Sequence, residues 1–173
     1  AGEIIRRLRA LVQNRETRQE PSNLNEAIAE VIGFVAGDAK LNEVRILPQF
    51  DPTMPIALLD RIQIQQIALN LFRNSIEAMV EQPRGQREIR LQTKWSDHAV
   101  QLVIEDNGPG VPTDLVNRIF DPFCTTKATG TGLGLAISRT IAEAHRGKLS
   151  YDVPASGGAR FTLTLPYSGD TPR

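Results

Sequence analysis

"DPFCTTKATGTGLGLAISRTIAEAH", residues 121–145, sets three glycines against the start of an apolar, helix-patterned run. Gly130, Gly132 and Gly134 open that run, and Thr125, Thr126 and Lys127 stand just before them. Glycine costs a helix interior roughly 1 kcal/mol relative to alanine. A helix that begins this way gives up propensity to obtain bare backbone. Exposed amide N–H groups at a helix N-terminus, with the positive end of the helix dipole behind them, form a seat for phosphate. Lys127 adds a full positive charge. The stretch is not a P-loop, because no Gly-Lys-Ser/Thr follows the glycines. It is not the dinucleotide fingerprint either, because the spacing is G-x-G-x-G and no strand pattern precedes it.

The surrounding chain has 173 residues, enough for one domain with its own core and a short appendage. Twenty basic residues balance twenty acidic ones, which argues against a general nucleic-acid or membrane-surface binder. No apolar run reaches the length of a membrane span, and no signal-peptide pattern opens the chain. Cys124 is the single cysteine, and with His98 and His145 it makes no familiar zinc spacing. A soluble cytoplasmic domain is expected. Because "AGEIIRRLRA" begins in mid-pattern, the chain reads as a piece of something longer.

Periodicity predicts a helix over residues 1–18, from Ile4, Ile5, Leu8, Leu11 and Val12. "QEPSN" breaks it, and Ser22 or Asn23 caps a second helix over 24 to about 39, ending near Gly37. "VRILPQF" reads as an edge strand because of its proline. A long helix follows over 58–81. "EIRLQTKW" and "AVQLVIED" read as a hairpin turning at Ser96 and Asp97, with His98 in or beside the turn. The glycine-opened helix is expected over about 132–146. "KLSYDV" and "RFTLTLP" supply two more strands. The fold class is therefore α+β, a two-layer sandwich of a mixed five-stranded sheet and about three helices. The domain proper spans residues 21–168, after a 1–20 appendage and before a 169–173 tail.

Two further clusters carry chemistry. On the long helix, Ile64, Ile67, Ala68, Leu71, Phe72, Ile76 and Met79 make an apolar face. Asn70, Asn74 and Glu77 share the opposite stripe with Gln63 and Gln66. Such a stripe is ordinarily a solvated face, but asparagine contributes little to one, and its amide oxygen is a hard ligand for magnesium. "IEDNGPGVP" ends a strand with Asp106 and continues through Gly108 and Gly110. Asp-Asn-Gly is strong turn chemistry. Two glycines and two prolines in six residues exceed what a turn needs, and suggest backbone that a flat ligand can approach.

Taken in order, these clusters resemble the ATP-binding domain shared by sensor histidine kinases, DNA gyrase B subunits, MutL repair proteins and a heat-shock chaperone. "LNLFRNSIEAM" resembles the asparagine box, "DNGPG" and "GTGLGL" the two glycine boxes, and "FDPF" the phenylalanine box. Their order and spacing resemble a sensor histidine kinase, most nearly the FixL and NtrB branch, over about residues 1–166.

The resemblance implies a Bergerat-type ATP-binding fold with ATP and Mg2+ as cofactors. It assigns Asn74 to the metal and Asp106 to the adenine amino group. Gly108 and Gly110 would admit the purine. Gly130, Thr131, Gly132, Leu133 and Gly134 would line the triphosphate, with Thr126, Lys127, Arg73 and Glu77 about it. Residues 111–131 would form a lid anchored by Phe120 and Phe123. Many relatives carry a lysine where this chain has Glu77. At position 70 the gyrase-like ATPases carry a water-activating glutamate, whereas Asn70 cannot act as a general base. ATP would be held for transfer to a histidine on a dimerisation hairpin, of which residues 1–18 resemble the second helix. A response regulator would take the phosphoryl group onward, and the full-length protein would be a homodimer. His98 and His145 read as structural, the latter suiting the dipole at a helix end. The alternatives are an ATPase driving a conformational change and a non-catalytic nucleotide-sensing module.

Overall fold

The computed structural model describes residues 17–127, 130–167 and 169. The elements run β1 (Glu20–Asn23), α1 (Leu24–Leu41), β2 (Val44–Gln49), β3 (Ile56–Leu59), α2 (Arg61–Ala78), β4 (Arg87–Ser96), β5 (Ala99–Asp106), a 3₁₀ turn at Val116–Arg118, α3 (Gly134–Ala144), β6 (Lys148–Asp152) and β7 (Ala159–Pro166). The helix expected over residues 1–18 falls almost wholly outside the described residues, as does most of the tail.

Period-two patterning decides the sheet. Its order is β2-β4-β5-β7-β6. β2 pairs in parallel with β4 and stands at the edge, as its proline requires, and the other pairings are antiparallel. On one face Ile89, Leu91, Val100, Leu102, Ile104, Phe161, Leu163 and Leu165 are buried. The three helices cover that face with Ile28, Val31, Ile64, Ile67, Leu71, Phe72 and Ile141. The other face is polar and carries ion pairs such as Arg160–Glu105 at 3.0 Å and Arg45–Glu88 at 2.6 Å. The result is the two-layer α+β sandwich, with its mixed five-stranded sheet and three helices.

Four local readings change. "QEPSN" is not a plain break: Glu20–Asn23 pairs antiparallel with Ile56–Leu59 as a second, two-stranded sheet. The long helix therefore starts at Arg61 rather than 58, because residues 56–59 are taken by the strand. Capped by Asn23, one of the two expected candidates, through the Asn25 and Glu26 amides, α1 runs past Gly37 to Leu41. Gly37 does not stop the helix: it lies on the exposed face, where a Cβ would meet nothing within 4 Å. The hairpin turn falls on Asp97 and His98, since Ser96 and Ala99 already pair.

Asp60 is a meeting point. Its Oδ1 accepts from the Gln63 amide at 3.1 Å, which caps α2. Its Oδ2 accepts from the Arg18 amide at 3.2 Å. Its own N–H donates to His145 Nε2 at 3.0 Å, and His145 Nδ1 lies 2.9 Å from the Ile141 carbonyl. His145 is thus structural, but by hydrogen bonding inside the core rather than by the positive charge that the dipole argument uses. At the other end of α2, buried Arg87 donates to the carbonyls of Asn42, Val80 and Gln82 at 2.6–3.1 Å.

Candidate functional site

The polar stripe of α2 is only partly a solvated face: Gln66 and Glu77 are exposed, Asn70 and Asn74 half-buried. Gln63 is buried, and its Oε1 has no hydrogen-bond partner among the described residues. Further along, the stripe forms one wall of a cavity of about 450 Å³, closed by the end of β5, the loop after it and the start of α3. That volume suits a ligand of nucleotide size. Asn70, Arg73, Asn74, Glu77, Asp106, Gly110, Thr126, Lys127, Gly130, Thr131, Gly132 and Gly134 all line it. Its apolar lining comes from Val111, Leu115, Ile119, Leu135, Ala159 and Phe161.

Asp106 ends β5 inside the fold, 4 % exposed. Its Oδ2 accepts from Ser75 Oγ at 2.8 Å and its Oδ1 from the Gly108 amide at 2.9 Å. Burial pushes its carboxyl above the ordinary carboxylate range, and these hydrogen bonds pull partly back. Gly108 does not line the cavity. A Cβ there would stand 2.9 Å from Asp106 Oδ1, so the missing side chain makes room for the carboxylate. Gly110 holds φ +74° with its would-be Cβ 2.8 Å from the Gly158 carbonyl. Both positions need glycine for reasons internal to the protein, not only for an approaching purine.

The glycine at the helix start has a similar answer. Any side chain at Gly134 would collide with the amide oxygen of Asn70. The bare backbone lets α3 press its first turn onto α2, and Asn70 Nδ2 donates to Ser138 Oγ at 3.0 Å across the contact. Leu133 precedes α3 without lining the cavity.

Of the two phenylalanines expected to anchor a lid, only Phe120 packs into the fold. Phe120 packs edge-on against Phe161 at 6.4 Å, with the Arg139 guanidinium 5.9 Å from its ring centroid. Phe123 does not: it is 58 % exposed and holds φ +65°. Its amide donates to the Gly132 carbonyl at 2.9 Å, which ties the loop to the glycine run through backbone instead. The start of the loop is held by Tyr151, whose hydroxyl accepts from the Val111 amide at 3.2 Å.

Lys127 Nζ pairs with the Glu77 carboxylate and lies 3.4 Å from Asn74 Oδ1. Two hard oxygens of α2 thus converge on a cation, which is the arrangement that magnesium would use. Among the described residues no group of three His, Cys, Asp or Glu gathers that could hold a metal by itself. Any metal here would complete its shell with water and ligand oxygens.

Three comparisons decide the relationship. The model of the family described as "Histidine kinase-, DNA gyrase B-, and HSP90-like ATPase" matches residues 59–169, a span holding every residue that lines the cavity. The chain belongs to this ATPase family. It is 40 % identical to sensor protein FixL of Bradyrhizobium diazoefficiens over 166 residues, covering 96 % of this chain and 33 % of that protein. It is similar to the solved catalytic domain of histidine kinase ThkA, with a TM-score of 0.76 at 32 % identity, covering 86 % of this chain and 95 % of that one. A structure of ThkA in complex with response regulator protein TrrA matches with a TM-score of 0.74 at 26 % identity, over 98 % of this chain and 48 % of that one. The chain spans about a third of the FixL relative's length. Within the family it sits with the ATP-binding domains of sensor histidine kinases.

For a member of this ATPase family, the sequence still hid several site residues. Ser75 lies three and four residues after Phe72 and Leu71 on the buried side of α2, where periodicity alone marks it only as part of the apolar face. A hydroxyl there must find a partner, and that requirement was the available signal. The apolar lining from Val111 to Phe161 carries no comparable mark, because the fold alone gathers it.

Proposed function

We propose that this domain binds Mg-ATP in the cavity and passes the γ-phosphoryl group to a histidine on a dimerisation hairpin of its parent protein, for relay to an aspartate of a response regulator. One observation carries the reaction type. The cavity is lined by only two carboxylates among the described residues, Glu77 and Asp106. Glu77 is paired with Lys127, and Asp106 is buried and hydrogen-bonded. At the position of the hydrolytic glutamate stands Asn70, an amide bonded to Ser138. No free general base faces the phosphates, so ATP is kept rather than hydrolysed quickly. Positioning and electrostatics then do most of the transfer.

Asp106 would accept from the adenine amino group. Asn74 would hold the metal, which supplies charge neutralisation of the phosphates when bound. The amides around Gly130–Gly134 would meet the phosphates at the start of α3. Arg73 and Thr126, on the cavity rim, would complete that environment. The ThkA–TrrA complex supports the response regulator as a partner class, and the resemblance to sensor kinases supports a homodimeric parent acting in the cytoplasm. No helix among the described residues is long and apolar enough to cross a membrane.

The test is incubation with γ-labelled ATP and magnesium. Alone, the domain should take up no stable label and release phosphate slowly. Mixed with a hairpin from the same parent it should label the hairpin through an acid-labile, base-stable bond, and faster when the two are joined in one chain. Rapid phosphate release without a hairpin would identify an ATPase instead. Base-stable label on His98 or His145 would move the acceptor into this chain.

A further inference from the structure

The contact of Lys127 with α2 joins a lid residue to the residues assigned to the metal. Asn74 and Glu77 are one helical turn apart, so their side chains share a face. An oxygen of each faces the same cation, the Lys127 ammonium. We propose that this oxygen pair is a single cation seat, taken in turn by Lys127 and by the divalent ion of a metal–nucleotide complex. Metal binding expels Lys127 from α2 and turns its charge toward the phosphates. The inference rests on the nucleotide reading of the cavity and adds to it a second protein oxygen, Glu77, and an exchange that couples metal to lid.

Three features favour exchange over a fixed ion pair. The side chains of Glu77 and Lys127 are 54 % and 36 % exposed, and a pair so open to water is weak. A divalent ion gains more than an ammonium from a carboxylate beside an amide oxygen, and magnesium uses few protein ligands when phosphates supply the rest. Lys127 is a compact charge on a flexible stem, so leaving the seat needs only side-chain rotation. Its backbone stays where it is, since its N–H donates to Thr125 Oγ1 at 3.1 Å and its carbonyl accepts from the Gly130 amide at 3.2 Å. The displaced ammonium therefore remains on the rim of the cavity, beside the glycine run. The seat also accounts for an acidic residue on a phosphate site: left bare, Glu77 would repel the ligand, and in either state a cation covers it.

The test uses the 173-residue chain with ADP and Mn2+, whose free ion is read by electron paramagnetic resonance. Calorimetry of ADP binding in EDTA is the second readout. Glu77→Gln should raise the Mn2+ dissociation constant of the ADP-loaded protein about tenfold, with ADP binding in EDTA no weaker than in the parent. Lys127→Met should lower the Mn2+ constant severalfold by removing the competitor, and should weaken ADP binding in EDTA. Thermal unfolding of both variants near the parent value would exclude misfolding as the cause. An unchanged Mn2+ constant in Glu77→Gln would leave Asn74 as the sole protein ligand and overturn the shared seat. A Mn2+ constant unmoved in Lys127→Met would reduce the contact to a surface ion pair and overturn the exchange. If the parent itself bound no ADP, the nucleotide reading would fail first, which is a different result from either.

Discussion

Ser75 Oγ donates to Asp106 Oδ2 at 2.8 Å, joining the middle of α2 to the end of β5 inside the fold. Ser75→Ala would remove one of the hydrogen bonds that a buried carboxylate accepts. The expected loss of stability is about 1–3 kcal/mol, measurable by denaturant unfolding, with weaker ATP binding beside it.

Asp106→Asn separates stability from function. The folded-state pKa of Asp106 lies above its unfolded value, because burial disfavours the charge. Its contribution to stability is therefore present below the ordinary carboxylate range and lost as pH rises through the folded value. Asparagine can keep a hydrogen bond from Gly108 and give one to Ser75 without carrying charge. The variant should be at least as stable as the parent at pH 7, with the gap closing as pH falls toward about 4, while adenine nucleotide binding weakens. Thermal melts across that range check the first part. In the parent, ATP and ADP should bind at least about tenfold more tightly than GTP, whose carbonyl would face the carboxylate. Equal affinities in calorimetry would remove Asp106 from the adenine site.

Asn74→Ala should abolish most of the magnesium-dependent gain in ATP affinity while the fold survives, since its side chain lies on the cavity wall rather than in the core. Titrations with and without magnesium read this directly. A variant that kept the gain would place the metal on other atoms.

Gly134→Ala sets two effects against each other. Alanine would favour α3 by up to roughly 1 kcal/mol on propensity. Its Cβ would strike Asn70, and overpacking of this kind costs about 1–3 kcal/mol. A lower melting temperature together with weaker ATP binding is expected. A higher one would mean that the Asn70 amide swings away from Ser138 at little cost.

Gly33 and Gly37 offer the opposite case. Both lie on the exposed side of α1 with open space where a Cβ would go. Replacing each with alanine should stabilise the domain by about 0.5–1 kcal/mol, read by thermal or denaturant unfolding.

The sheet and the polar residues of the site were legible because each leaves a local signature. Alternation marks the strands β4, β5, β6 and β7, and Asp106 stands at the end of one. Asn70, Asn74 and Glu77 repeat at helical spacing. What could not be read depends on pairing between distant segments. Glu20–Asn23 and Ile56–Leu59 are four residues each, too short to show a period, and become strands only because they find one another. The same pairing moves the start of α2, which "IALL" disguised as helix. Phe123 was misplaced for a related reason. An aromatic residue in a loop ordinarily packs, but a left-handed backbone at Phe123 turns this one outward. Gly108 shows the converse: its glycine was noticed, yet the neighbour that requires it is Asp106, known only once the chain has turned.

Asp60 receives the Arg18 amide, caps the helix bearing Asn70 and Asn74, and holds the far end of α3 through His145. The backbone at Arg18 is thus pinned to the same residue that starts α2 and, through His145, ends α3. Both helices also line the cavity, α2 through Asn70, Asn74 and Glu77 and α3 through Gly134 and Leu135, so one residue, Asp60, bears on two elements of the site at once.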